Sequence, residues 1–313
     1  MKFLVILAAL AINHFWDRER ALPGDDWYRA LTDWLYARVQ ALSGAGTVFM
    51  VAALLVPVLA LLLLLGLVQG VALGLISFCL HMALLLCLFD QHNVRAWAAE
   101  YLRLWQEGDY EAAYLLLQER RTSVQLDGTD DLEALHRQCS RYLAGNSLQR
   151  LFAVLFWYLV AGPVGALVYY CLTQLQQNRM IDSEWQSARW ASGLLFVLDW
   201  LPARVLALTF SLAGDFDAGF ACLRDALVDT VRSGESVVTD CALAATGAPA
   251  RALLVQESDD EEETLVIDMN SASAGLSPAA MGAQIQSLQA LIARSQVLWV
   301  AALALLAVFG SVA

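Results

Sequence analysis

The residues best suited to chemistry lie inside an almost wholly apolar run, GLLFVLDWLPARVLALTF at 193–210. Asp199 and Arg204 are opposite charges five positions apart, with Trp200 and Pro202 between them. A proline inside a helix removes a backbone donor and clashes with the preceding turn, so Pro202 is expected to break the local helix and leave carbonyls in need of partners. An isolated charge at the centre of a bilayer costs about 3 kcal/mol or more. Asp199 and Arg204 are therefore expected to face protein, to pair with each other, or to sit at the membrane edge. Two readings stand: a ligand or partner site, and an ion pair that stabilises a kinked or re-entrant element.

A second constellation occupies 142–170, YLAGNSLQRLFAVLFWYLVAGPVGALVYY. Asn146 and Arg150 stand one helical turn apart at the entrance of an apolar run that contains Trp157, and Gly162, Pro163 and Gly165 interrupt its centre. Such breakers open a pocket or let another helix approach closely. Asn146, Arg150, Trp157, Asp199, Trp200, Pro202 and Arg204 are thus the candidates for binding a ligand or partner. No residue is assigned a catalytic or metal-ligating role. His14, His81, His92 and His136 are far apart in sequence, no Ser-His-Asp or Cys-His arrangement can be argued, and His81 reads as a hydrogen-bonded core residue. The six cysteines contain no CxxC pair and read as small buried hydrophobes.

The elements that position these residues follow from composition. Of 313 residues 59% are hydrophobic and 16% charged, against about a quarter charged in soluble domains, and mean hydropathy is +0.55. A water-soluble enzyme is not expected. The net charge of −12 offers no positive surface for nucleic acid. Between Arg38 and Asp90 run 51 residues without Asp, Glu, Lys or Arg, broken near the middle by Gln69 and Gly70; about 20 residues cross a membrane, so 47–89 reads as a transmembrane hairpin. The uncharged stretch around 151–175 reads as a further transmembrane helix and 295–313 as a terminal one. Segment 1–15 reads as a short retained membrane helix and 191–213 as a kinked or re-entrant membrane segment. The class is all-α, a polytopic membrane protein with about five or six spans and a helical cytoplasmic layer.

The remaining segments are a cytoplasmic loop with an amphipathic helix at 16–46, a cytoplasmic helical region at 90–150, a short periplasmic segment at 176–190 and a cytoplasmic region at 214–294. Orientation follows the arginines, four in 16–46 and seven in 90–150, by the positive-inside rule. In 94–120 apolar residues recur at helical spacing around Gly108 and Asp109, a helix end and a helix cap. That pattern partly returns at Gly214, Asp215 and Phe216. Within 233–281 the run QESDDEEET carries six acidic residues; it repels itself and buries little, so a flexible loop is expected. The implied partners are the lipid bilayer, with a protein partner, a second copy or a small molecule as candidates, no nucleic acid and no cofactor.

These same residues resemble those of the AmpE family, bacterial inner-membrane proteins associated with AmpD and with regulation of β-lactamase induction, and more distantly the CobD/CbiB cobinamide-phosphate synthases. VLDWLPAR looks like the families' proline-alanine-arginine motif, with Asp199 where the synthases usually have asparagine. LFWYLVAGPVGALVYY resembles their shared Pro/Gly-rich span, and the likeness runs over about 1–232. Where the synthases carry acidic residues, this chain has Gly145 and Gln149, Gln176, and Leu195 and Phe196. Magnesium and phosphates need such acids. The resemblance therefore implies a signalling or regulatory protein of the inner membrane rather than an enzyme, linked to cell-wall recycling and acting through ligand or partner binding. The alternative is an altered or weak cobalamin-biosynthesis amide ligase.

Overall fold

The computed structural model describes residues 5–10, 26–39, 45–69, 74–89, 92–120, 132–177, 186–229, 231–246 and 277–310, which are almost entirely helical and contain no strand. The chain divides into two compact units, one of Met1–His92, Ser147–Ala203 and Trp299–Ala313, the other of Asn93–Asn146 and Arg204–Leu298. Four helices are long and apolar enough to cross a membrane: Gly46–Leu67, Leu132–Gln177, Trp190–Ala213 and Pro278–Leu306. A shorter apolar helix covers Ile76–Leu88. The protein belongs to the helical membrane class. Of the expected first membrane helix at 1–15, a helix at 5–10 is described and the rest lies outside the described residues, as does the acidic run at 257–263.

In the first unit, α1 (Asp26–Val39) packs on α2 (Ala45–Gln69), and α2 and α3 (Gly74–Leu88) pack on the helix that follows the second constellation. α2 contains Pro57 and turns Leu55, Leu59, Leu62, Leu63 and Leu67 outward, as a helix facing lipid must when no water competes for its surface. Tyr28 donates to the carbonyl of Ala53 at 3.4 Å, and Trp27 stacks on Tyr170 with ring centroids 6.0 Å apart.

The expected single crossing at 151–175 is corrected by the structure. A π-helical turn, Leu148–Phe152, leads into α7 (Ala153–Gln177), and α7 does not run straight. Gly162 has φ 72° and ψ −161°, a conformation open essentially to glycine alone, and Pro163 supplies no N–H to carry the helix across it. A Cβ on Gly165 would collide with the side chain of Ala161 and stand 2.9 Å from the carbonyl oxygen of Trp157. Eight residues along a straight helix span about 12 Å, so the chain has turned back on itself. The arms meet again at the open end: Arg150 Nη2 donates to Gln177 Oε1 at 3.1 Å, and Gln177 Nε2 to Gln149 Oε1 at 3.4 Å. This is a helical hairpin with its tip at Gly162 and Pro163. The returning arm, from Pro163 to Gln177, reaches about 22 Å, while the first arm continues without interruption from the helix that begins at Leu132. Gln177 ends beside Arg150; most of the expected periplasmic segment 176–190 lies outside the described residues.

The expected break at Pro202 is also corrected. α8 (Gln186–Ala213) is a single helix with Pro202 inside it. Its outward residues Leu194, Val197, Leu201, Leu208 and Leu212 are apolar, while Leu195, Asp199, Pro202 and Ala203 are buried. The covered face carries the charge.

The second unit shows the expected helical hairpin, α4 (His92–Glu107) and α5 (Tyr110–Arg120). Gly108 adopts φ 78°, and Asp109 Oδ1 accepts from the amide of Ala112 at 3.0 Å. Trp97, Tyr101 and Trp105 stack at four-residue spacing along α4. Trp105 Nε1 donates to the carbonyl of Pro278 at 2.8 Å, tying α4 to the start of α11 (Pro278–Gly310). α6 (Leu132–Ser147) joins them through His136 Nε2 and Gln284 Oε1, 3.0 Å apart. The loop expected over 233–281 is helical at its start. Ser233 caps α10 (Gly234–Ala245), accepting from the amide of Ser236, and Val237, Val238, Cys241 and Ala242 are buried. At the other repeat position Asp215 caps α9 (Phe216–Val228), and a Cβ on Gly214 would stand 2.6 Å from the carbonyl oxygen of Ala245.

The hairpin separates cleanly from a straight crossing. Replacing Gln149 and Gln177 by cysteine should give an intramolecular disulfide recoverable by peptide mapping, because the positions touch; on a straight helix they would lie about 42 Å apart and no such link would form. Gly162→Ala should lower detergent-solubilised stability by about 1–3 kcal/mol, read as a reduced Tm.

Candidate functional site

The open end of the hairpin gathers polar groups that an apolar unit has to accommodate internally. Asp199 projects from the buried face of α8 and accepts a hydrogen bond of 2.5 Å from the Tyr169 hydroxyl on the returning arm. That length is characteristic of an O–H donor on a carboxylate. The Arg150 guanidinium lies within electrostatic reach of the same phenol. Tyr169 thus bonds a buried carboxylate, Asp199 at 7% exposure, and the Arg150 guanidinium on the first arm is buried as well, at 6%.

Around this core the returning arm adds an amide-rich face. Thr173 bonds back to the carbonyl of Tyr170 at 2.7 Å, a turn that fixes its own hydroxyl. Gln177 receives Arg150, as described above. Gln174 is 4% exposed, and its Nε2 has no hydrogen-bond partner among the described residues. A buried amide donor without a partner costs about 1–3 kcal/mol, so Gln174 marks a place where a polar group from outside the chain would be stabilising. The π-helical turn puts Arg150 at this point in the first arm; such turns interrupt the regular hydrogen-bond ladder and occur often at functional positions.

Of the sequence candidates, the structure brings Arg150 and Asp199 together through Tyr169. Trp157 lies nearer the hairpin tip, with its Nε1 buried and lacking a hydrogen-bond partner among the described residues. Trp200 is half-buried and Pro202 buried, on α8 just beyond Asp199. Asn146 and Arg204 belong to the second unit. There Arg204 Nη2 donates to the carbonyls of Ala226 at 3.0 Å and Asp229 at 3.3 Å, holding α8 to the end of α9. The sequence analysis missed Tyr169, Gln174 and Gln177 as site residues. Their signal was present: Tyr170, Gln174 and Gln177 follow helical spacing within an apolar segment, with Tyr169 and Thr173 alongside.

His81 is hydrogen-bonded, 3.0 Å from the Tyr158 hydroxyl, as expected for a core residue. Among the described residues no three His, Cys, Asp or Glu side chains converge as metal ligands.

Comparison with known proteins places the chain. The family described as "Regulatory signalling modulator protein AmpE" matches residues 1–249, and the chain belongs to that family. It is also similar to the Cobalamin biosynthesis protein CobD of Chromobacterium violaceum, 35% identical over 85 residues, 25% of this chain and 26% of that protein. A second CobD, from Stutzerimonas stutzeri, is 29% identical over 102 residues, 30% of this chain and 32% of that protein. The matches thus span about a quarter to a third of the curated relatives' length. No solved structure matches.

The Tyr169–Asp199 bond is testable by a double-mutant cycle. Tyr169→Phe removes the donor and leaves the carboxylate short of a partner, which should cost about 1–3 kcal/mol. In an Asp199→Asn background the same change should cost clearly less, the difference being their coupling.

Proposed function

We propose that this AmpE-family protein is a regulatory component of the bacterial inner membrane that modulates β-lactamase induction by binding a ligand or partner at the open end of the helical hairpin. Arg150, Tyr169, Gln174, Gln177 and Asp199 form the recognition surface, with Trp157, Trp200 and Pro202 beside it. The observation that carries this reading is the buried Nε2 of Gln174, without a partner among the described residues, on the same returning arm as Tyr169, whose hydroxyl meets the buried carboxylate of Asp199. Broken helices in membrane proteins put polar groups at depth where they face a cavity or a bound molecule. A guanidinium with amide donors suits an anionic or carbonyl-rich group.

The family's description as a signalling modulator supports a role without turnover, as does the neutral character of Gln149 and Gln176, where the synthases carry acids. The arginine-rich regions 16–46 and 90–150 face the cytoplasm in this reading. A partner, a second copy of the chain or a small molecule from cell-wall recycling would occupy the site; recognition of nucleic acid is not part of it.

Arg150→Leu should abolish the regulatory effect on β-lactamase activity in an inducible host while membrane abundance, read by immunoblot, stays at the wild-type level. Arg150→Lys should restore it only in part, because a point charge replaces a planar fork. Abundance falling in step with the effect, or induction unchanged in the leucine variant, would refute the site. The partial likeness to CobD favours one other reading, a residual amide-ligase activity. Magnesium-dependent ATP binding by the purified protein would support that reading over the regulatory one.

A further inference from the structure

We propose that Cys222 and Cys241 form a peroxide-sensitive dithiol whose oxidation to an intramolecular disulfide locks the α9–α10 helical hairpin. The two thiols are described separately in sequence as small buried hydrophobes, yet the fold brings them face to face. The Cys241 thiol donates to the Cys222 sulfur with the two sulfur atoms 2.9 Å apart. A disulfide bond is 2.03–2.05 Å long, so a shift of roughly 0.9 Å completes it. The pair joins neighbouring helices at a 19-residue separation, and both cysteines are free.

Their surroundings differ in the way a reactive pair requires. Cys222 is half-exposed at the edge of the cluster, while Cys241 is fully buried beside Ala207, Leu223, Ala226 and Val237. The hydrogen bond from Cys241 holds the Cys222 thiol below its ordinary pKa, with Arg232 acting in the same direction and burial, Asp240 and Asp225 against it. The same bond and burial push Cys241 up. Arg232 is held beside the pair by Asp229 at 3.4 Å and Asp240 at 3.7 Å. The accessible thiol is thus the better nucleophile and the buried one the resolving partner.

The chemistry balances with hydrogen peroxide as the oxidant. The Cys222 thiolate attacks one peroxide oxygen, the O–O bond breaks, and hydroxide leaves and takes a proton to become water. The resulting sulfenic acid is attacked by the Cys241 sulfur; the S–S bond forms, and the sulfenic hydroxyl departs as a second water with the Cys241 proton. Two thiols lose two electrons and one peroxide is reduced to two waters. The consequence is local to the second unit. Ala226 and Asp229, whose carbonyls hold Arg204, sit at the end of α9, so the disulfide fastens the clamp around that arginine.

The test uses the full-length protein in detergent. After peroxide treatment, two of its six thiols should become unreactive to alkylation. Peptide mapping should recover a Cys222–Cys241 link within one chain, reversed by reductant, and amide exchange across 216–245 should slow several-fold. In a Cys241→Ser variant, Cys222 should instead accumulate as a dimedone-trapped sulfenic acid, and in a Cys222→Ser variant the link should be lost. The wild-type measurement stands whether or not either variant folds. Both thiols remaining alkylatable, a link formed between two chains, or Cys222 proceeding to sulfinic acid without linkage would each overturn the proposal.

Discussion

An ionised carboxylate inside an apolar helix has to be supplied with donors by the protein, because lipid offers none. Asp199 meets that demand in part through a short bond from Tyr169, and much of the first unit is arranged so that this bond can form. Tyr169 sits on the returning arm of a hairpin, and that arm exists because Gly162 takes a backbone conformation closed to other residues. Pro163, directly after it, cannot extend the helix backwards. Arg150 reaches Gln177 on the returning arm only because the chain comes back to meet it.

Much of this organisation is legible in the sequence, and the rest fails for physical reasons. The helical class, the apolar runs, and the Gly108–Asp109 cap between two helices follow from period, charge and capping chemistry. Gly162 and Pro163 can be identified as breakers. What their presence does not fix is the angle of the break: the same residues serve a mild kink or a full reversal, and the difference lies in φ and ψ at one glycine. The uncharged length of 151–175 therefore suggests a crossing when the chain turns back midway. Pro202 illustrates the converse, since α8 carries it within a continuous helix whose buried face satisfies its neighbours.

The start of the region read as a loop fails for a different reason. Alanine, serine and glycine dominate 233–246 and give little apolar period, yet Ser233 is a good cap and Val237, Val238 and Cys241 line one face of α10. Composition averaged over 233–281 is dominated by the acidic run that follows, and it conceals a short, well-capped helix. At the site, the amides Gln174 and Gln177 carry no charge to stand out within an apolar run. Their own donor capacity, visible in Gln174 and Gln177, is the positive information they carry.

The π-helical turn before α7 has a bearing on how this chain is to be compared with others. Widening one turn accommodates an extra residue inside a continuous helix, with no loop to absorb it. Pairing it with a chain that lacks the widened turn, while confining gaps to loops, would displace every residue of the preceding helix by one position. Each would then be assigned to a face about 100° from its own. The length difference is recorded in the helix itself, and positional equivalence on its two sides has to be established separately.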